Sequence, residues 1–211
     1  MAARGKAPGA AQFVPEGAGL PELRAAAAGC RGCELHRDAT QTVFGEGPAH
    51  AAVLLIGEQP GDQEDRSGHP FVGPAGALLN RALDEAGIDR DGCYLTNAVK
   101  HFRFTERGKR RIHKQPGRTE IVACAPWLAA ELRAVRPRLV LCLGAIAAQA
   151  VLGTGFRVSE RRGELIELPE HAVLATVHPS AVLRAPDRAA AYREFTADLG
   201  RARTALEALS R

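Results

Sequence analysis

Residues 51–61 read Ala-Ala-Val-Leu-Leu-Ile-Gly-Glu-Gln-Pro-Gly. Six apolar residues with no polar alternation, ended by a glycine turn, form the pattern of a strand covered on both faces. Three other runs share it: Tyr94–Asn97, Leu139–Leu143 and Ala172–Val177. Helical patterns separate or follow them at Ala75–Ala86, Thr119–Val135, Ala145–Leu152 and Arg188–Leu209. This alternation predicts an α/β three-layer sandwich around a central four-stranded parallel sheet. Residues 1–18 read as a flexible leader and 19–211 as a single domain, with no internal repeat and no linker.

The composition agrees with one ordinary domain. A chain of 211 residues that is 45% hydrophobic can bury a real core, which excludes disorder for its bulk. Met1–Leu20 lacks the apolar centre of an export signal, so the five cysteines are expected as reduced thiols or metal ligands in a cytoplasmic protein. The uncharged run Leu139–Phe156 nearly reaches membrane-spanning length, but Gly144, Gln149, Gly153 and Thr154 interrupt it, so no membrane association is expected. The formal charge is only +4, yet it is unevenly spread. Lys100–Arg118 holds eight basic residues and one acid, a net of +7, which leaves −3 for the rest of the chain. That segment is expected to be a solvated loop that attracts nucleic-acid phosphate.

In an open parallel sheet, ligands bind beyond the carboxyl ends of the strands. The residues at those ends are unusual: Gly57-Glu58-Gln59-Pro60-Gly61 after the first strand, Asn97 closing the second, Gly144 after the third and His178-Pro179-Ser180 after the fourth. Each has a bland reading as well. The glycine loop can be a bare turn, Phe71 a core residue or an aromatic plate over a planar ligand, and His178 a helix cap. Cys30-Arg31-Gly32-Cys33 has the spacing of a two-ligand hairpin for zinc or an iron–sulfur group. Cys124 offers a third thiolate and His101 a candidate fourth ligand, whereas Cys93 and Cys142 read as small buried hydrophobes. His113, within Lys109-Arg110-Arg111-Ile112-His113-Lys114, is either a solvated loop residue or part of a site.

Taken together, CRGC, GEQPG, PFVGPAG, TNAVKH and HPSAVLR occur in an order that resembles the uracil-DNA glycosylase superfamily, over nearly all of Cys30–Arg184. The resemblance is closest to the iron–sulfur family-four enzymes and their covalent-trapping relatives, the UdgX proteins. Gln59, His101 and the inserted KRRIHK favour the latter group. The resemblance implies a [4Fe–4S] cluster held by Cys30, Cys33, His101 and Cys124. It implies catalytic roles for His113, Glu58, Gln59 and His178, and uracil contacts from Asn97, Phe71, Gly57 and Ser180. Lys109, Arg110, Arg111, Lys114 and Arg184 would touch DNA, with Leu183 as an alternative wedge. Glu58 would orient His113, accept its proton or balance charge on the sugar. The expected partner is uracil-containing DNA, single-stranded or double-stranded, bound by a nucleoid-associated monomer. The expected outcome is uracil excision with a bond from His113 to C1′ of the abasic site. The alternatives are ordinary hydrolysis and a non-catalytic iron–sulfur DNA-binding module.

Overall fold

The computed structural model describes residues 8–209. In chain order its elements are α1 (Leu20–Ala27), β1 (Val53–Gly57), α2 (Asp62–Ser67), α3 (Pro74–Glu85), β2 (Cys93–Asn97), β3 (Phe104–Arg107), β4 (Arg110–His113), α4 (Arg118–Val135), β5 (Leu139–Leu143), α5 (Ala145–Leu152), α6 (Val158–Arg161), β6 (Leu165–Glu167), β7 (Ala172–Thr176), α7 (Pro179–Arg184) and α8 (Arg188–Ala208). The main sheet has the order β2-β1-β5-β7-β6. Its first four strands are parallel and every one of their residues is buried.

Successive side chains of a strand point to opposite faces, and here both faces are apolar. Val53 and Leu55 of β1 join Leu79 and Leu83 of α3 and Phe195 and Leu199 of α8 in one core layer. Leu54 and Ile56 join Leu128 and Val135 of α4 and Ile146 and Ala147 of α5 in the other. The three-layer α/β sandwich is therefore the fold, with one addition. A fifth strand, β6, pairs antiparallel with the edge of β7. It has only three residues, two of them exposed, so it lacked the apolar run that marks the others.

Two further expectations are corrected. The basic segment is not a structureless loop. Phe104–Arg107 and Arg110–His113 pair as an antiparallel hairpin, closed at Gly108 with φ +60°. A positive φ at the first position of a two-residue connection matches the twist of the flanking strands, and glycine adopts it without strain. The leader reading also fails from residue 9 onward, while residues 1–7 lie outside the described residues. The Gly9 N–H donates to Gly32 O at 3.0 Å and the Ala10 N–H to Ala123 O at 2.8 Å, and Ala10 is buried. This stretch packs on a third apolar cluster with Leu23, Cys30, Cys33, Phe44, Val99, Cys124 and Trp127.

Lys100 and Glu131 form an ion pair at 2.5 Å with neither side chain exposed. Glu131 also accepts from Gly45 N, Tyr94 Oη and Thr96 Oγ1, and Lys100 donates to Thr96 Oγ1 and Asn97 O. Desolvation of both charges is thus met by a nearly complete shell of partners. Glu131→Ala is expected to lower the unfolding free energy by about 3–5 kcal/mol, because it strands a buried ammonium. Urea denaturation measures the loss.

Candidate functional site

Gly57 and Asn97 stand opposite each other at the carboxyl ends of β1 and β2. Beyond them opens a cleft of about 720 Å³ whose lining includes Glu58, Gln59, Phe71, Asn97, His113, His178, Ser180, Leu183 and Arg184. The polar residues picked out along the sequence therefore meet in one place. A side chain at Gly57 would collide with Asn97 Oδ1 and lie 2.7 Å from Phe71 Cζ, so the missing Cβ is what lets those two groups converge. Phe71 is buried, with φ +58°, a left-handed conformation rare for an aromatic residue. It belongs to the core at one edge and lines the cleft at the other.

One brace was missed by sequence reasoning. The buried Glu64 carboxylate accepts from Gly61 N at 3.0 Å and Gly73 N at 2.8 Å, tying together the two glycine-containing loops that wall the cleft. Its signal was a glutamate three residues into a helix that starts after Gly61, the position of a reciprocal cap.

His178 is fixed as a hydrogen-bond donor toward the cleft. The Ser180 N–H donates to His178 Nδ1 at 3.2 Å, with Ser180 Oγ 2.8 Å from the same nitrogen. A neutral ring that accepts at Nδ1 carries its proton on Nε2. Burial, followed by His113 and Arg184, pulls its pKa down to about 4, so the ring is neutral near pH 7.

The hairpin delivers His113 to the cleft mouth, where its side chain is 51% exposed. His113 Nε2 lies 2.9 Å from Gln59 Nε2 and 3.5 Å from Glu58 Oε1. Gln59 is buried and bonded to both ends of the hairpin: it accepts from Arg103 N at 3.1 Å and donates to Arg103 O at 3.2 Å and Lys114 O at 2.9 Å. Glu58 Oε1 is buried without a hydrogen-bond partner. Burial raises the Glu58 carboxyl pKa, against the opposing effects of Gln115 and Arg184. Burial and Arg184 lower that of His113.

Arg111 does not face solvent as a phosphate contact. Its guanidinium pairs with Asp62 and, at 2.6 Å, with Asp65, donates to Thr40 Oγ1 at 3.1 Å, and stacks over Phe102 and Phe104. Lys100 is buried, and Arg103 lies 3.6 Å from Glu120. The +7 of the segment is therefore partly neutralised within the fold, and Lys109, Arg110 and Lys114 remain among its exposed cations. Arg184 is exposed at the cleft rim beside Leu183.

On the far side of the Asn97–His101 turn, Cys30, Cys33 and Cys124 share the third apolar cluster. His101 Nδ1 lies 4.0 Å from Cys33 Sγ, and its Nε2 lies 3.0 Å from Thr42 Oγ1. Trp127 Nε1 donates to Cys30 Sγ at 3.2 Å and the Lys100 backbone N–H to Cys124 Sγ at 3.3 Å. Burial pushes the Cys124 thiol up to about 12, so a thiolate there needs a cation beside it. Among the described residues no three or more His, Cys, Asp or Glu side chains converge tightly enough to hold a single ion. Three thiols and an imidazole spread around a buried apolar shell suit a polynuclear group in their donor chemistry. Cys93 and Cys142 lie in β2 and β5, apart from this set.

The sequence profile of the uracil DNA glycosylase superfamily matches residues 44–200. A type-4 uracil-DNA glycosylase of Pyrobaculum aerophilum is 35% identical over 85% of this chain and 91% of its own length. Those of Archaeoglobus fulgidus and Thermotoga maritima are 33% and 36% identical, over 81% and 74% of this chain and 86% and 78% of theirs. The chain belongs to the uracil-DNA glycosylase superfamily. Among the described residues no helix is long and apolar enough to cross a membrane.

Two outcomes follow from this geometry. Arg111→Ala is expected to speed amide hydrogen exchange in β3 and β4 while leaving β1 and β5 protected, as read by exchange mass spectrometry. The folded pKa of His178 lies below the ordinary value of 6.5, so the unfolded chain binds the extra proton between about 6.5 and about 4. Stability is therefore expected to fall as pH drops through that window, and His178→Asn to flatten the decline in urea titrations.

Proposed function

We propose that this chain excises uracil from DNA and then becomes covalently attached, through His113, to C1′ of the abasic deoxyribose. The target nucleotide must leave the base stack to reach a closed cleft. There, the Asn97 amide accepts from uracil N3–H and donates to O4. Cytosine reverses that pattern and would leave buried groups unpaired. Phe71 stacks on the ring, with Gly57 and Ser180 beside it. As the C1′–N1 bond breaks, its electron pair leaves with the base, and the His178 Nε2–H donates to O2 where negative charge gathers.

The remaining sugar is electron-poor at C1′. The observation that carries the covalent reading is the placement of His113 Nε2, 3.5 Å from Glu58 Oε1, by the buried Gln59 amide. A neutral imidazole there takes the position from which a Glu58-directed water would otherwise attack. Lys109, Arg110 and Lys114 on the hairpin, with Arg184 and Leu183 at the rim, supply contacts to a single-stranded or double-stranded substrate. We assign Cys30, Cys33, His101 and Cys124 to a [4Fe–4S] cluster, which supplies structural support beneath the Asn97 turn when bound. The domain, with residues from 9 onward packed into it, acts as a monomer on nucleoid DNA in the cytoplasm.

Hydrolysis with turnover is the second reading, favoured by the type-4 glycosylase names of the relatives and by the half-exposed His113 side chain. A denaturing gel after incubation with a uracil-containing oligonucleotide separates the two. A heat- and detergent-stable shifted band, one DNA per protein and absent in His113→Ala, is the expected result. Free abasic DNA in molar excess over protein overturns trapping, and no uracil release overturns both readings. His178→Ala is expected to slow uracil release by about 10²–10³, measured as single-turnover rates.

A further inference from the structure

The Gln59 amide has only one orientation that satisfies its surroundings. With Oε1 toward Arg103 N (3.1 Å) and Nε2 toward Arg103 O (3.2 Å) and Lys114 O (2.9 Å), every backbone contact pairs a donor with an acceptor. Turned over, the amide would set its oxygen against two carbonyl oxygens and its NH₂ against a backbone N–H. The group 2.9 Å from His113 Nε2 is therefore the amide NH₂, whose two hydrogens are shared among three neighbours and whose nitrogen cannot accept a hydrogen bond from the ring. Two N–H groups at that separation repel, so the ring presents a lone pair there. The proton of the neutral ring then sits on Nδ1.

We infer that Gln59 sets His113 in its Nδ1–H tautomer, and that Glu58 balances charge during covalent capture instead of removing a proton from the nucleophile. The inference rests on the covalent reading above for its chemistry and on the hydrogen bonds of the free protein for its geometry. The Nε2 lone pair gives up its contact with the Gln59 NH₂ and forms the bond to C1′ while the C1′–N1 electron pair departs with uracil. No proton has to leave His113 for this to happen. The product ring is an N-alkylated imidazolium that still holds its Nδ1 proton, and the departed uracil anion takes a proton from solvent. Positive charge thus appears on the imidazole 3.5 Å from Glu58 Oε1, the one oxygen of that carboxylate left buried and unbonded. That oxygen gains a cationic partner only once the adduct forms. Before then the ring is neutral, so the interaction favours the bonded state over the free one. Gln59 is a positioning residue in this scheme, acting through His113, and it has a second effect: it joins both ends of the hairpin to the loop after β1.

The test is two-bond ¹H–¹⁵N correlation NMR of the histidine rings in the full-length, cluster-loaded protein without DNA at neutral pH, with His113 assigned by its loss in His113→Ala. The expected pattern is a protonated Nδ1 and an unprotonated Nε2. Glu58→Gln is expected to keep that pattern, since the carboxylate does not hold the ring proton. Gln59→Met is expected to shift the ring toward the Nε2–H form and to lower adduct yield by about tenfold, the scale of one lost hydrogen bond. A wild-type ring protonated at Nε2, or a tautomer change in Glu58→Gln, overturns the inference by making Glu58 the ring's proton acceptor. An Nδ1–H ring in a protein that forms no DNA adduct overturns the covalent reading and leaves the tautomer assignment standing. Should Gln59→Met fail to fold, the wild-type and Glu58→Gln spectra still decide the matter.

Discussion

Burial of both faces of the four parallel strands is the constraint on which the rest of the molecule depends. With helices above and below, a polar side chain has no low-cost place along β1, β2, β5 or β7 except at a strand end. Gly57, Asn97, Gly144 and His178 occupy those ends, and the cleft forms where they meet. Glycine at two of them has a steric cause. Gly57 makes room for Asn97 and Phe71, and Gly144 has φ +92°, where a Cβ would also come within 3.1 Å of His178 Cβ.

The hairpin obeys a different logic. It contributes nothing to the two main core layers and is held by polar contacts at its base and flank. Gln59 bonds to residues 103 and 114, just outside the paired strands, and Arg111 reaches back to α2. Those contacts orient His113 toward Glu58 although the ring remains half exposed. Rigidity at an exposed position therefore comes from a buried amide and an ion cluster, with added packing from Phe102, Phe104, the arginine lying over them and the His113 ring against Phe102.

Much of this was legible in the residues. Unbroken apolar runs located the four parallel strands to within two residues, because full burial leaves a strong compositional trace. The polar groups at the strand ends were equally visible. The three-residue β6 had too few apolar positions to register, and the hairpin was hidden because its strands are charged and its partners lie 46–71 residues upstream in sequence, at Thr40, Gln59, Asp62 and Asp65. Arg111 was misread for the same reason: composition reveals a charge but not the carboxylates that meet it. Residues 9–14 lie in an Ala/Gly-rich N-terminal stretch that reads as a leader, yet smallness is what admits Ala10 between the Cys30–Cys33 hairpin and α4.

The hairpin that carries His113 is joined to the sheet scaffold as an appendage, leaving after β2 and returning before α4. Grafting it onto a sibling scaffold is therefore a question of receptors. A recipient that supplied the cleft but lacked the glutamine and the two aspartates would hold the new imidazole in no defined direction, and the transplanted ribbon would behave as a charged flap.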